Sequence, residues 1–146
     1  MHFEEFADGA VYRTRGRTVT EADVVLFSTL TGANNSLFIN EDYARKSRFG
    51  TRIAPGLLTA SIATGLIYLL PNSPFEGGFI ALLSCSFRAL KSVKIGDTLY
   101  CETHVAERRE KERNGVVTLA SAVTNQSGEK VLDITHEILV EKKVSN

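Results

Sequence analysis

With 146 residues the chain is one ordinary domain, large enough to bury roughly two thirds of the surface its unfolded form would expose. Its 17 basic and 17 acidic residues cancel and the pI is near 6.8, so no general attraction to nucleic acid is expected. The opening MHFEEFADGAVY lacks a basic stretch followed by an apolar core, so no signal peptide is expected and the cytosol is the default compartment.

In chain order, YRTRGRTVT at 12 to 20 alternates enough to form a short strand. Thr20 with Asp23 resembles a capping box with aspartate in place of glutamate, and Val24, Val25, Phe27 and Leu30 give one apolar face. That pattern predicts a helix from about 21 to 31, which Gly32 ends. Residues 33 to 40 read as a polar loop, and EDYARKSRFG after it as a further helical turn.

From Gly56 to Leu70 the residues are apolar or small on every side, which predicts a central helix enclosed all round and stopped by Pro71. At 1.5 Å per residue it would be about 22 Å long, too short and too rich in small hydroxyl residues to prefer a bilayer. Pro55 suits a helix start, because its missing N–H would be unpaired there in any case. Gly56 would let a ligand approach the backbone, and the unpaired amides of the first turn suit a carbonyl oxygen that gains negative charge. On these residues alone, a plain buried helix start is the stronger reading.

After Phe75 the character changes to long strands: GGFIALLSCSFRAL, DTLYCETHVAERRE, GVVTLASAVTNQ and KVLDITHEILVEKK. Turn-like residues separate them at 95–97, 113–115 and 126–128. One strand, then helices, then four strands is an α+β order with an antiparallel sheet wrapped around the long central helix. The other face and the edges of the sheet need cover, which points to a homodimer or heterodimer.

Other chemistry-bearing residues have plain readings. Cys85 and Cys101 are expected to be small core residues, too few and too far apart for a metal pattern. His2 falls in a terminus expected to be mobile, and His104 lies opposite the face of Leu99, Cys101 and Val105, so it should be solvated. His136 shares a face with Ile134, Ile138 and Val140, where a satisfied core or interface histidine outweighs a catalytic one. The run ERREKER at 107–113 reads as a hairpin end in water, and Arg88, Lys91 and Lys94 as surface cations before phosphate ligands.

Four strings, FSTLTGANNSLFIN, RIAPGLLTASIATGL, FRALKSVKIGDTLY and GVVTLASAVTNQSGEKVL, together cover most of the chain. It resembles the MaoC-like (R)-specific enoyl-CoA hydratases and 3-hydroxyacyl thioester dehydratases. The resemblance implies a single hotdog domain over 1–146, no cofactor or metal, and an acyl-CoA or acyl-carrier-protein thioester as ligand. The family motif Gly-Asp-x-Asn-Pro-x-His meets Gly32, Ala33, Asn34, Asn35, Ser36, Leu37 and Phe38 here. Alanine and phenylalanine thus stand at the positions of the acid–base dyad. The later His-Gly pair reads Pro55-Gly56, which keeps the glycine whose amide would polarise the thioester carbonyl. Asn35 matches the motif asparagine, and Thr64 falls where members carry a serine, so the resemblance groups Gly56, Asn35 and Thr64 as thioester-binding. It groups Asn34, Ser36, Pro55 and Leu57 as pocket residues.

These substitutions imply a chain that holds an acyl thioester without standard hydration, as a homodimer or beside a dyad-bearing homologue in a heterodimer. The alternative is an active dehydratase or thioesterase using other residues. The nearest replacements in sequence are Asn34, Asn35, Ser36, Glu41 and Asp42, of which the first three are not bases at neutral pH.

Overall fold

The structure is a computed structural model and describes residues 1–144. A 3-10 turn at Phe3–Glu5 leads into β1 (Val11–Arg13) and β2 (Arg17–Thr18), followed by α1 (Glu21–Thr31), α2 (Ser36–Ile39), α3 (Glu41–Arg45) and α4 (Gly56–Tyr68). Four long strands complete it: β3 (Phe79–Ala89), β4 (Thr98–Glu110), β5 (Asn114–Thr124) and β6 (Lys130–Glu141). All pairings are antiparallel, in the order β1-β4-β5-β6-β3, with β2 also on β4. This is a single hotdog-type α+β fold, a sheet curled around one dominant helix.

Alternation along β4, β5 and β6 sends one side chain in two toward α4. Leu99, Val105, Leu119, Val123, Ile134 and Ile138 meet Ala63, Leu66 and Ile67 of the helix in one buried cluster. The opposite face of the sheet carries Glu102, His104, Thr118 and Asp133, none of them buried, so only one face builds the core.

The capping box at Thr20 is present: its hydroxyl accepts from the Asp23 amide at 3.2 Å, and the Asp23 carboxylate accepts from the Thr20 amide at 2.9 Å. Gly32 closes α1 in the left-handed conformation, φ 75°, which glycine adopts without a Cβ penalty. The expected single strand at 12–20 is instead two short pieces. The chain breaks at Gly16, where a Cβ would come within 2.6 Å of the Tyr100 ring. The expected loop at 33–40 contains the one-turn helix α2, because the Asn35 side chain accepts from the Leu37 amide at 2.9 Å and caps it.

Three more expectations need correction. The central helix ends at Tyr68 rather than Leu70, and it is not enclosed all round: Leu57, Ser61 and Tyr68 form an exposed stripe at helical spacing. Cys85 is exposed on β3, the end strand of the sheet among the described residues, whereas Cys101 is buried. The N-terminus is tied down: its ammonium donates to the Ser73 carbonyl at 3.1 Å and the His2 amide to Glu5 at 2.7 Å. Behind it Phe3 and Phe6 are buried, and the Arg108 guanidinium lies 4.5 Å from the Phe3 ring centroid. No helix among the described residues is long and apolar enough to cross a membrane.

Candidate functional site

Short polar residues shape the approach to α4. After Gly32, Asn35 caps α2, and Asn40 caps α3 by accepting from the Tyr43 amide at 3.0 Å. Glu41 then binds the far end of the segment: it accepts from the Thr51 hydroxyl at 2.7 Å and from Arg52 Nε at 2.8 Å. Arg52 also reaches Glu21 at 2.9 Å, so one guanidinium joins α1, α3 and the loop leading to α4. The Thr51 and Arg52 donors hold the Glu41 carboxyl down to about 2. The Ile53 amide donates to the Leu37 carbonyl at 3.1 Å and the Ala54 amide to Val93 at 2.7 Å, which fixes the start of α4 against α2 on one side and the β3–β4 connection on the other.

Gly56 is the first residue of α4, so its amide has no acceptor within the helix. It lines a cleft of about 270 Å³ bounded by Ile53, Thr59, Leu90, Val93 and Val131, with Arg48 and Lys91 at the rim. A Cβ built on Gly56 would meet only the Phe87 ring, at an ordinary 3.7 Å. The protein itself therefore tolerates a side chain there, at a residue that lines the cleft. Among its described lining residues there is no carboxylate, histidine or cysteine. The cleft has mostly apolar walls, with the cations Arg48 and Lys91 among its lining residues.

The other sequence-predicted residues are distributed differently. Pro55 is buried directly before Gly56. Asn34, Asn35 and Ser36 are exposed, and Ala33 and Phe38 half-buried, on the loop that the Leu37–Ile53 bond holds at the helix start; none of the five lines the cleft. Leu57 points to the exposed flank of α4, 60% accessible.

Thr64 lies eight residues along α4, about 12 Å from Gly56 at 1.5 Å per residue. Its hydroxyl is 2.9 Å from the Ala60 carbonyl and 2.8 Å from His136 Nε2. The single hydroxyl proton goes to the carbonyl, so His136 donates from Nε2 and keeps its lone pair on Nδ1, which has no partner. Full burial pushes the His136 imidazole down from 6.5 to about 4.

Of the three cations singled out from sequence, Lys91 and Lys94 stand together beside the cleft, whereas Arg88 sits elsewhere, beside Asp133. Arg48, Phe49 and Ser92 also border this region and had no signal in the sequence, because they come from a turn and a loop that only the closed sheet brings together.

A family model described as "MaoC like domain" matches residues 3–127. The chain belongs to the MaoC-like family. It is 31% identical over 143 residues to a 3-hydroxybutyryl-CoA dehydratase of Methylorubrum extorquens, covering 98% of this chain and 86% of that protein. It is 35% identical over 98 residues to an (R)-specific enoyl-CoA hydratase of Rhodospirillum rubrum, covering 67% of this chain and 65% of that one. Among solved structures, a monoamine oxidase regulatory protein from Archaeoglobus superposes with TM-score 0.91 at 35% identity, over 99% of this chain and 96% of that one. This MaoC-like chain is thus a hotdog-fold member of a family of acyl-thioester hydratases and dehydratases.

Proposed function

We propose that the chain is a thioester-holding subunit of a hydratase or dehydratase that does not itself carry out standard hydration. The observation that supports this reading most is the make-up of the cleft: a glycine where the fold has room for a side chain, and no proton-transferring carboxylate, histidine or cysteine along the described lining. Adding water to an enoyl thioester requires a base to activate water at C3, an acid to protonate C2, and a donor for the enolate-like oxygen. The Gly56 amide supplies the third. Ala33 and Phe38, at the positions where the family resemblance implies the dyad, supply neither of the others. The names of the relatives point to an acyl-CoA ligand, and an acyl-carrier-protein thioester has the same reacting end.

The isolated chain should leave the enoyl absorbance of crotonyl-CoA unchanged and release no free thiol from acyl-CoA. Hydration should appear on mixing with a dyad-bearing homologue. Rapid hydration by the chain alone would favour the second reading, an active dehydratase with other groups, for which the match to a dehydratase along 98% of the chain speaks. Thiol release would favour a thioesterase.

The reading includes association through β3, with a second copy or with that homologue. Among the described residues the strand pairs only with β6, leaving the backbone along its other edge without a strand partner, and Ile80, Leu82, Leu83, Phe87 and Leu90 are all exposed along it or just beyond. The bare flank of α4 adds Leu57 and Tyr68 to the apolar surface. Leu83→Lys should shift sedimentation from a dimer to a monomer mass without changing the circular dichroism spectrum. A dimer that persists would place the contact on another surface.

A further inference from the structure

We propose that Glu41 and Arg52 are positioning residues of the Gly56 cleft, a carboxylate–guanidinium clamp that sets the shape of the cleft without lining it. This rests on the reading of the cleft given above and names what holds it in form. Neither side chain is among the lining residues, but their chain neighbours are. Arg48 and Phe49 lie between the two in sequence, and Ile53, Ala54 and Gly56 follow directly. The cleft wall is therefore hung on both sides of one ion pair.

Both oxygens of Glu41 are occupied. Oε1 accepts from the Thr51 hydroxyl at 2.7 Å, and Oε2 accepts from the Arg52 amide at 3.3 Å and from Arg52 Nε at 2.8 Å. Arg45 adds a looser cation at 3.6 Å, while Asp42 turns to Lys46. A carboxylate held by this many donors is a poor proton acceptor, so Glu41, a candidate base by sequence alone, acts on position instead. The Arg52 side chain is only 16% exposed, and its other end reaches Glu21 of α1 at 2.9 Å.

The segment that the clamp closes is bonded to itself. The Ser47 hydroxyl donates to the Ala44 carbonyl at 2.6 Å and accepts from the Phe49 amide at 3.2 Å, and Gly50 turns the chain back with φ 72°. Its return to the body of the protein runs through Thr51 and Arg52, so the clamp decides where Phe49 sits against the cleft. On the other side, Arg52 is followed at once by the Ile53 and Ala54 amides, which donate to the Leu37 and Val93 carbonyls and lead into Gly56.

Hydrogen exchange followed by NMR, together with thioester binding, tests the clamp. Glu41→Gln sets an amide NH₂ against a donor. It should speed exchange of the Ile53 and Ala54 amides about tenfold and leave the β5–β6 amides unchanged. The same variant should weaken binding of a crotonyl N-acetylcysteamine thioester about tenfold and reduce the shift this ligand causes in the Gly56 amide resonance. Arg52→Ala should do as much, and Arg52→Lys, which keeps the charge, should recover part of the loss. Because the two residues act as one unit, Glu41→Gln combined with Arg52→Ala should be no worse than Arg52→Ala alone. Exchange and affinity equal to those of the unaltered chain overturn the clamp. So do faster exchange with unchanged affinity, exchange that quickens equally across the sheet, and single losses that multiply in the double variant. Failure of the underlying reading looks different: the unaltered chain would bind no thioester and its Gly56 resonance would not move. The exchange rates at Ile53 and Ala54, which need no ligand, then decide the clamp by themselves.

Discussion

On the function proposed above, Ala33→Asp combined with Phe38→His should raise the rate of crotonyl-CoA hydration about 10²-fold or more above that of the unaltered chain. Ala33 lies three residues before α2 and Phe38 within it, and the single turn is set by the Asn35 cap and held at the start of α4 by the bond from the Ile53 amide to the Leu37 carbonyl. Neither restraint depends on the side chain at 33 or 38, so the loop that would carry the new groups keeps its place. Each single variant should stay near the baseline, because one group lacks either the base or the acid the reaction needs. Phe38 packs against the core cluster, so replacing it with the more polar histidine should cost about 1 kcal/mol, visible as a lower melting temperature. A double variant that melts as a folded protein and binds butyryl-CoA, yet adds no water, would mean that the residues at 33 and 38 are not what separates this chain from an active hydratase.

Lowering the pH from 6.5 to 4 should remove about 3 kcal/mol of stability through His136 alone. The sign follows from the burial: the folded chain holds the imidazole neutral down to about 4, whereas the unfolded chain protonates it near 6.5. Between those values the unfolded state binds the extra proton. The contribution is therefore complete above 6.5, falls as the pH drops, and is gone below 4. The groups against the ring supply no compensating charge: Thr64 accepts its one donated hydrogen bond, Phe75 meets its edge at 6.2 Å, and Cys85 and Leu119 are its cross-strand partners. Urea unfolding at several pH values should show this slope, and His136→Leu should flatten it between 6.5 and 4. Glu5 and Glu41, whose carboxyls are held near 2, act in a lower window, below about 4.5. An unchanged slope in the leucine variant would mean that the folded chain protonates His136 in the same range as the unfolded chain does.

Much of the architecture is legible from local chemistry. The capping box at Thr20, the left-handed Gly32, the two-residue period of the last three strands and the small-residue run of α4 act over a few positions, and the structure carries each where the pattern indicates. The same locality explains the misses. Nothing near Cys85 in sequence says that β3 lies at an edge, and nothing near Leu57 says which flank of α4 the sheet leaves bare, since both depend on the order in which distant strands pair. Gly16, in the break between the first two strands, lies so close to the ring of Tyr100, 84 positions away, that a Cβ would not fit.

The residues at the candidate site divide along the same line. By itself the sequence determined the two helix starts and the glycine at 56, because each is a matter of residue type at a fixed spacing. Only the tertiary structure decided that Gly56 lines a cleft, that Arg48 joins Lys91 and Lys94 across it while Arg88 does not, and that Thr64 is bonded to His136 rather than lining the cleft. The physical reason is that a cavity or a buried pair is made by surfaces far apart along the chain, and which of them meet is set when the sheet closes on its helix.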